Sequence, residues 1–132
     1  MNKNQENQKI INKAVDVILH DRLKNSISAI LLFGSHAGGT ATKRSDIDIC
    51  VVFGNISMKE ATAFRIRVSG ELPKKADVQV FNVLPQKIKK SIAKNHKQLY
   101  KDETFDNMLF TIKHIKDNDY FLRIKRVFGA AL

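Results

Sequence analysis

The sequence predicts a single α/β domain, over residues 1–132, in which helices flank a small mixed β-sheet. Three observations support this prediction. Two short apolar runs, 28–33 and 46–53, have the length of strands, and a third run at 76–83 alternates between apolar and polar residues. Apolar residues recur at helical spacing before and after these runs. A chain of 132 residues has the length of one ordinary domain.

The first half of the chain is predicted to contain one helix and two strands. The helix runs from about Asn4 to Lys24, because its apolar residues recur at the spacing of one helix face. These residues are Ile10, Ile11, Ala14, Val15, Ile18, Leu19 and Leu23. The strand 28–33, "SAILLF", ends at Gly34, and a loop leads to the strand 46–53, "DIDICVVF".

The second half of the chain is predicted to contain one further strand and several helices. Ser57 and Glu60 have the three-residue spacing of a helix capping box. The strand 76–83, "ADVQVFNV", follows that helix, and Pro85 favours the first position of another helix. The remaining chain, about 98–132, is predicted to be a C-terminal helical segment.

The charge and the composition restrict the class of protein. The net charge of +10 and the pI near 9.9 favour an anionic partner, although a solvated basic surface explains the same charge. Zinc-finger and aromatic nucleic-acid-binding signatures are absent. The charge alone leaves direct nucleic-acid binding open. The polar start "MNKNQENQKI" has no apolar segment, so we expect no secretory signal, and no run approaches the roughly 20 apolar residues of a membrane span. Its single cysteine, Cys50, excludes an internal disulfide, so we expect a cytoplasmic location.

Aspartates open two of the predicted strands. Side chains alternate along a strand, so Asp46 and Asp48 share one side while Ile47 and Ile49 face the other. Carboxylates roughly 6–7 Å apart repel by about 2–3 kcal/mol at an effective dielectric near 20, and Mg²⁺ would offset this cost. Asp77 can supply a third carboxylate from the third strand. Taken alone, each aspartate could equally be a solvated residue at a strand end.

Gly34 and Ser35 directly follow the first strand. Glycine permits a tight turn and a close backbone approach to a ligand, while a serine hydroxyl and successive N–H groups suit phosphate oxygens. The spacing and the lysine of a Walker loop are absent, and so is the spacing of a dinucleotide fingerprint. In isolation, a simple turn explains these two residues equally well.

Taken together, these features resemble the signature of the polymerase-β-like nucleotidyltransferases, and most closely that of the minimal nucleotidyltransferases. In that signature a strand ends in Gly-Ser, about ten residues follow, Asp-x-Asp opens a second strand, and a later strand carries a third acidic residue. The residues in those places here are Gly34, Ser35, Asp46, Asp48 and Asp77. The likeness covers roughly 5–105 and is most specific across 32–53.

The resemblance implies a nucleotidyltransferase fold and Mg²⁺-dependent nucleotidyl transfer from ATP. It assigns Asp46, Asp48 and Asp77 as the catalytic residues and as ligands of two Mg²⁺ ions. It also makes Asp77 the acceptor of a proton from the attacking hydroxyl.

The resemblance further assigns nucleotide binding to Gly34 and Ser35, which would hold the β and γ phosphates. Many minimal nucleotidyltransferases carry arginines after Gly-Ser, whereas His36, Ala37 and Gly38 stand there in this chain. Of the nearby basic residues, Arg44 is the candidate for the missing phosphate contact, with Lys43 as an alternative.

A protein partner is also implied, because many minimal nucleotidyltransferases are antitoxins that attach AMP to a tyrosine of a HEPN-type ribonuclease toxin. We therefore expect an adenylyltransferase that forms a hetero-oligomer with such a toxin and has no membrane partner. Two alternatives stay open: a free-standing transferase acting on a small molecule or RNA, and a non-catalytic antitoxin that masks the toxin by binding. The segment 117–132 mixes apolar and basic residues, which predicts either a protein interface or core packing.

Overall fold

The structure, a computed structural model, describes residues 2–39, 41 and 45–115. Helices and strands alternate along most of this part of the chain. In order they are α1 (Lys3–Leu19), β1 (Ile27–Phe33), α2 (Ser35–Gly38), β2 (Ile47–Phe53), α3 (Met58–Ser69), β3 (Ala76–Val80), α4 (Gln86–Lys94), β4 (Lys97–Lys101) and α5 (Asn107–Ile115).

The four strands form one mixed sheet in the order β3-β2-β1-β4. Strand β1 pairs antiparallel with β2 and with β4, and β2 pairs parallel with β3. The two central strands are almost wholly buried, because helices cover both faces of the sheet. The predicted α/β class, with a small mixed sheet flanked by helices, is confirmed.

Alternate residues of β2 face two different hydrophobic cores. Ile47, Ile49, Val51 and Phe53 pack into the larger core, which also contains buried residues of α1 and α3. Cys50 and Val52 pack into the smaller core with residues of α4 and α5. The predicted separation of the apolar residues of β2 from its aspartate side is therefore confirmed, with Asp48 on the side of the smaller core.

Several predicted boundaries were wrong by a few residues. Helix α1 ends at Leu19 rather than near Lys24, and Asp21 then forms a turn by accepting a hydrogen bond from the Leu23 N–H at 3.0 Å. Strand β2 begins at Ile47, so Asp46 lies just before the strand instead of being its first residue.

The third strand is shorter than predicted because its end is held by a side chain. It stops at Val80, and a short 3₁₀ turn, Phe81–Val83, follows. In that turn Asn82 accepts from the Phe53 N–H at 2.9 Å and donates to the Phe53 carbonyl at 2.8 Å. These two bonds fix the turn against the end of β2.

The predicted C-terminal helical segment, about 98–132, requires a correction at its start. Residues 97–101 form the edge strand β4, since β1 has a second edge whose backbone groups need partners. After β4, Asp102 accepts hydrogen bonds from the backbone N–H groups of Thr104 and Phe105, and the helix begins only at Asn107. Residues 116–132 lie outside the described residues, so the interface predicted there and the single domain over 1–132 stay predictions.

The predicted helix starts are largely correct. Helix α3 begins at Met58 after a capping box in which the Ser57 Oγ accepts from the Glu60 N–H at 3.1 Å. Pro85 was expected at the first helical position, but it lies one residue before α4, at the N-cap position. Within the described part of the chain, none of the helices combines the length and the apolar character needed to cross a bilayer.

Candidate active site

The residues singled out from the sequence meet at one end of the sheet. Phe33, the last residue of β1, pairs with Asp48 near the start of β2, and Asp48 pairs in turn with Asp77 of β3. Gly34 continues directly from Phe33, and Asp46 directly precedes β2. Three strand ends thus place a glycine turn beside Asp48 and a second carboxylate on the neighbouring strand.

Gly34 approaches the carboxylate of Asp48 so closely that only glycine fits. Its φ of +72° lies in the region that side chains disfavour. A Cβ placed on Gly34 would overlap the Oδ2 atom of Asp48. The backbone turn and the aspartate therefore form one packed unit, which a larger residue at position 34 would force apart.

The short helix α2 holds Ser35 next to this turn. The Gly38 N–H donates to the Gly34 carbonyl at 3.1 Å, and Gly39 ends the helix at a φ of +77°. A Cβ on Gly38 would lie 2.7 Å from the Asn95 Nδ2, so α2 packs tightly against the residue that follows α4. This packing fixes the half-buried Ser35 beside the carboxylates.

This arrangement disfavours the ionised form of Asp48. Burial raises the pKa of its carboxyl group, and the negative charges of Asp77 and then Asp46 raise it further. His36 acts in the opposite direction on the same pKa. Both other aspartates, which lie on separate segments, are therefore close enough to raise the pKa of Asp48.

Asp77 has a partner that the sequence analysis did not single out. The side-chain amide of Gln79 donates to Asp77 Oδ1 at 3.2 Å and to Oδ2 at 3.3 Å. The two residues are two positions apart on β3, so their side chains share a face of the strand. That spacing, "DVQ", is the signal from which the contact could have been predicted.

The donor set suits a hard divalent cation. The carboxylates of Asp46, Asp48 and Asp77 supply only oxygen atoms, which Mg²⁺ prefers, and a cation would remove the repulsion that raises the pKa of Asp48. In the described residues, however, no three histidine, cysteine, aspartate or glutamate side chains are gathered tightly enough to hold a metal ion. The three aspartates therefore fit Mg²⁺ by the chemistry of their oxygen atoms, while their side chains would have to draw closer together around the ion.

His36 is half-buried on α2, and its Nε2 lies 3.3 Å from the carbonyl oxygen of Ser45, just before Asp46. This contact closes the loop between α2 and β2. Lys43 and Arg44 lie outside the described residues, so the phosphate contact predicted for Arg44 stays a prediction.

A cavity of about 410 Å³ opens between the glycine turn and α4. Its wall is formed by residues of the glycine turn on one side and of α4 and its C-terminal end on the other, namely Phe33, Gly34, Ser35, Ile88, Ser91, Ile92 and Asn95. Another cavity, of about 390 Å³, lies at the opposite end of the sheet beside Phe53 and Phe81. Because only the first is next to Gly34 and Ser35, it is the better candidate for a ligand of this site.

A family model described as polymerase beta, nucleotidyltransferase matches residues 13–105 of the chain. Among individual proteins, the chain is 42% identical over 79 residues to the putative protein adenylyltransferase MJ1547 of Methanocaldococcus jannaschii. That alignment covers 60% of this chain and 60% of the relative, so the chain spans about three fifths of the relative's length.

Solved structures of similar fold include a toxin–antitoxin with AMP-PNP, at a TM-score of 0.62 and 21% identity over 88% of this chain and 93% of the other. A second is the tri-AMPylated Shewanella oneidensis HEPN toxin in complex with its MNT antitoxin, at a TM-score of 0.57 and 19% identity over 94% and 93% of the chains. A third is the spectinomycin adenyltransferase AAD(9) of Enterococcus faecialis, at a TM-score of 0.55 and 15% identity over 90% and 63%. At these identities the likeness is one of fold.

Proposed function

This chain belongs to the polymerase beta nucleotidyltransferase family, and from that membership we propose that it transfers AMP from ATP to a tyrosine of a HEPN-type toxin protein. The predicted nucleotidyltransferase fold is confirmed. The observation that carries the proposal is the alignment of Gly34, Asp48 and Asp77 on neighbouring strand ends, with Asp46 within electrostatic reach.

The carboxylates of Asp46, Asp48 and Asp77 are proposed to hold Mg²⁺, with two ions at full occupancy. When bound, the metal neutralises negative charge on the α-phosphate of ATP and on the pyrophosphate that leaves. A bound cation would be favourable at this place, because it would offset the repulsion that Asp77 and Asp46 exert on the charge of Asp48.

Gly34 and Ser35 are proposed to bind the β and γ phosphates. With no side chain at position 34, a phosphate can approach the backbone, and the Ser35 hydroxyl is half-buried at the edge of the adjacent cavity. The placement of these residues beside Asp48 would align the triphosphate with the carboxylates. Positioning of this kind is the main contribution of a protein to phosphoryl-type transfer.

Asp77 is proposed to accept the proton of the attacking tyrosine hydroxyl. The phenolic oxygen forms a bond to the α-phosphorus, the bond to the bridging oxygen of pyrophosphate breaks, and the proton passes to the Asp77 carboxylate. Asp77 is half-buried, and the hydrogen bonds from Gln79 orient its carboxylate.

The choice of a protein acceptor is supported by two similarities. The archaeal relative is named as a putative protein adenylyltransferase, and one structural neighbour is an MNT antitoxin in complex with an AMPylated HEPN toxin. The chain's net charge of +10 suits association with an acidic protein surface. A reducing cytoplasm is the proposed setting, since Cys50 is a free, buried thiol whose pKa is raised by burial.

The test is to mix the protein with a HEPN-family protein from the same organism and Mg-ATP, and to measure intact masses. The HEPN protein should gain about 329 Da, the mass of one AMP group, or multiples of it. Label on a small molecule or RNA instead would support the free-standing transferase. Association without any gain of mass would support an antitoxin that acts by binding alone.

A further inference from the structure

The contact between Gln79 and Asp77 has a geometry that bears on which cation the site accepts. A single nitrogen, Gln79 Nε2, lies 3.2 Å from Asp77 Oδ1 and 3.3 Å from Oδ2. A donor that is nearly equidistant from both oxygens, and hydrogen-bonded to both, lies on the open edge of the carboxylate between them. The amide group therefore occupies the position from which a cation would bind both oxygens at once.

The strand holds this contact in place. Asp77 and Gln79 pair with Asp48 and Cys50 of the neighbouring strand β2, so their backbones are fixed by the parallel ladder. Between them, the Val78 carbonyl accepts a hydrogen bond from the Arg65 Nε of α3 at 3.1 Å. Gln79 is half-buried. The backbone that carries Gln79 is therefore fixed, and the two hydrogen bonds hold its side chain against Asp77.

Occupation of the open edge has different consequences for two common cations. Ca²⁺ is large, accepts six to eight oxygens and often binds a carboxylate through both of its atoms. Mg²⁺ requires near-ideal octahedral geometry and is served by one oxygen from each carboxylate. With Gln79 on the open edge, each oxygen of Asp77 still presents its outer lone pair, whereas two-oxygen binding is blocked.

We propose that Gln79 determines metal specificity, by blocking two-oxygen binding at Asp77 so that the site favours Mg²⁺ over Ca²⁺. This inference rests on the proposed function, because it takes Asp77 to be a metal ligand. Gln79 touches neither ATP nor the acceptor in this assignment, and it acts through the orientation of Asp77.

The test measures metal binding without any reaction. Mn²⁺ bound to the protein is followed by electron paramagnetic resonance, and Mg²⁺ or Ca²⁺ is added as the competitor. In the variant Gln79→Ala the ratio of Ca²⁺ affinity to Mg²⁺ affinity should rise by about tenfold, the scale on which groups that orient metal ligands act. Gln79→Thr, which retains high strand propensity but is too short to reach Asp77, should give the same shift if the alanine variant folds poorly.

The matched control is Gln98→Ala, since Gln98 is an exposed glutamine on β4 at the other edge of the sheet. Its ratio should equal that of the unmodified protein. An unchanged ratio in both Gln79 variants overturns the inference, even if the affinities for both cations fall equally. Such a result does not contradict the assignment of Asp77 as a metal ligand. Failure of the unmodified protein to bind Mn²⁺ at all overturns the proposed function itself.

Discussion

The two ends of strand β2 follow opposite rules. At one end Asp48 is half-buried beside two other carboxylates, and its pKa is raised by burial and by their charge. At the other end Phe53 is buried against Phe64 with the rings 5.1 Å apart and nearly perpendicular, and Asn82 bonds both of its backbone groups. One end brings like charges together, whereas at the other end the backbone N–H and carbonyl of Phe53 are both hydrogen-bonded.

The two ends therefore have opposite effects on the free energy of unfolding. Charge repulsion and burial disfavour the ionised form of Asp48 at neutral pH, so its end of the strand lowers the free energy of unfolding. The aromatic contact and the paired backbone groups at the other end raise it. Substitutions at the two ends should therefore separate activity from stability.

The largest effect is expected from Asp46→Asn or Asp77→Asn, each of which should reduce the rate of AMP transfer by at least about 10²–10³-fold. The reason is that an amide no longer supplies the charge for the proposed metal and, at position 77, no longer accepts the proton. Initial rates with α-labelled ATP measure this. Asp16→Asn, an exposed aspartate on α1, serves as the control and should retain full activity.

The aromatic end is tested by Phe64→Ala, which should lower the free energy of unfolding by about 3–5 kcal/mol. Phe64 is fully buried, so its removal leaves a cavity against Phe53. Denaturant titration measures the change. On the same helix Ile66 is 69% exposed, and Ile66→Ala should change the free energy by less than about 0.5 kcal/mol. Equal losses in the two variants would contradict the assigned core.

The two glycines of positive φ sharpen the comparison within the active-site end. Gly34→Ala should destabilise the fold by about 2–3 kcal/mol and abolish transfer, because its Cβ would overlap the Asp48 carboxylate. Gly39→Ala has a similar φ but no atom within 4 Å of the added Cβ, and should cost only about 1 kcal/mol. If both variants lose the same stability and activity, backbone conformation alone explains Gly34.

The smallest effect concerns His114, whose ring packs against Phe81 and Phe110 of the smaller core. Burial, together with the charges of Lys113 and Lys89, lowers the pKa of His114 from 6.5 to about 4. Because the unfolded chain binds a proton more readily, the folded state should lose stability as the pH falls from 6.5 towards 4.

Since His114 is only partly buried, the loss should be only about 1 kcal/mol. Urea titrations at both ends of that range measure it. In His114→Gln the loss should shrink, because no proton binds there in either state. An unchanged pH dependence in this variant would assign the loss to other groups.

Much of the active-site end could be predicted from sequence because its signals are local. The alternation of Asp48 with Ile47 and Ile49 fixes opposite faces, and the spacing of Gly34 and Ser35 from the aspartates marks the turn. Strand β4 was missed because its pairing with β1 joins residues far apart in the chain, and "KQLYK" has few apolar residues. The role of Gln79 depends on a side-chain orientation that the spacing permits but does not specify.

The most direct test of the central claim, that Asp48 is kept for chemistry at the expense of stability, is thermal unfolding of Asp48→Asn. We expect a Tm equal to or higher than that of the unmodified protein in metal-free buffer, since a repelled charge is removed while the shape of the side chain is kept. We also expect that the rise in Tm on adding Mg-ATP is lost. A Tm that falls by several degrees in metal-free buffer, or a rise with Mg-ATP that persists, would contradict the claim.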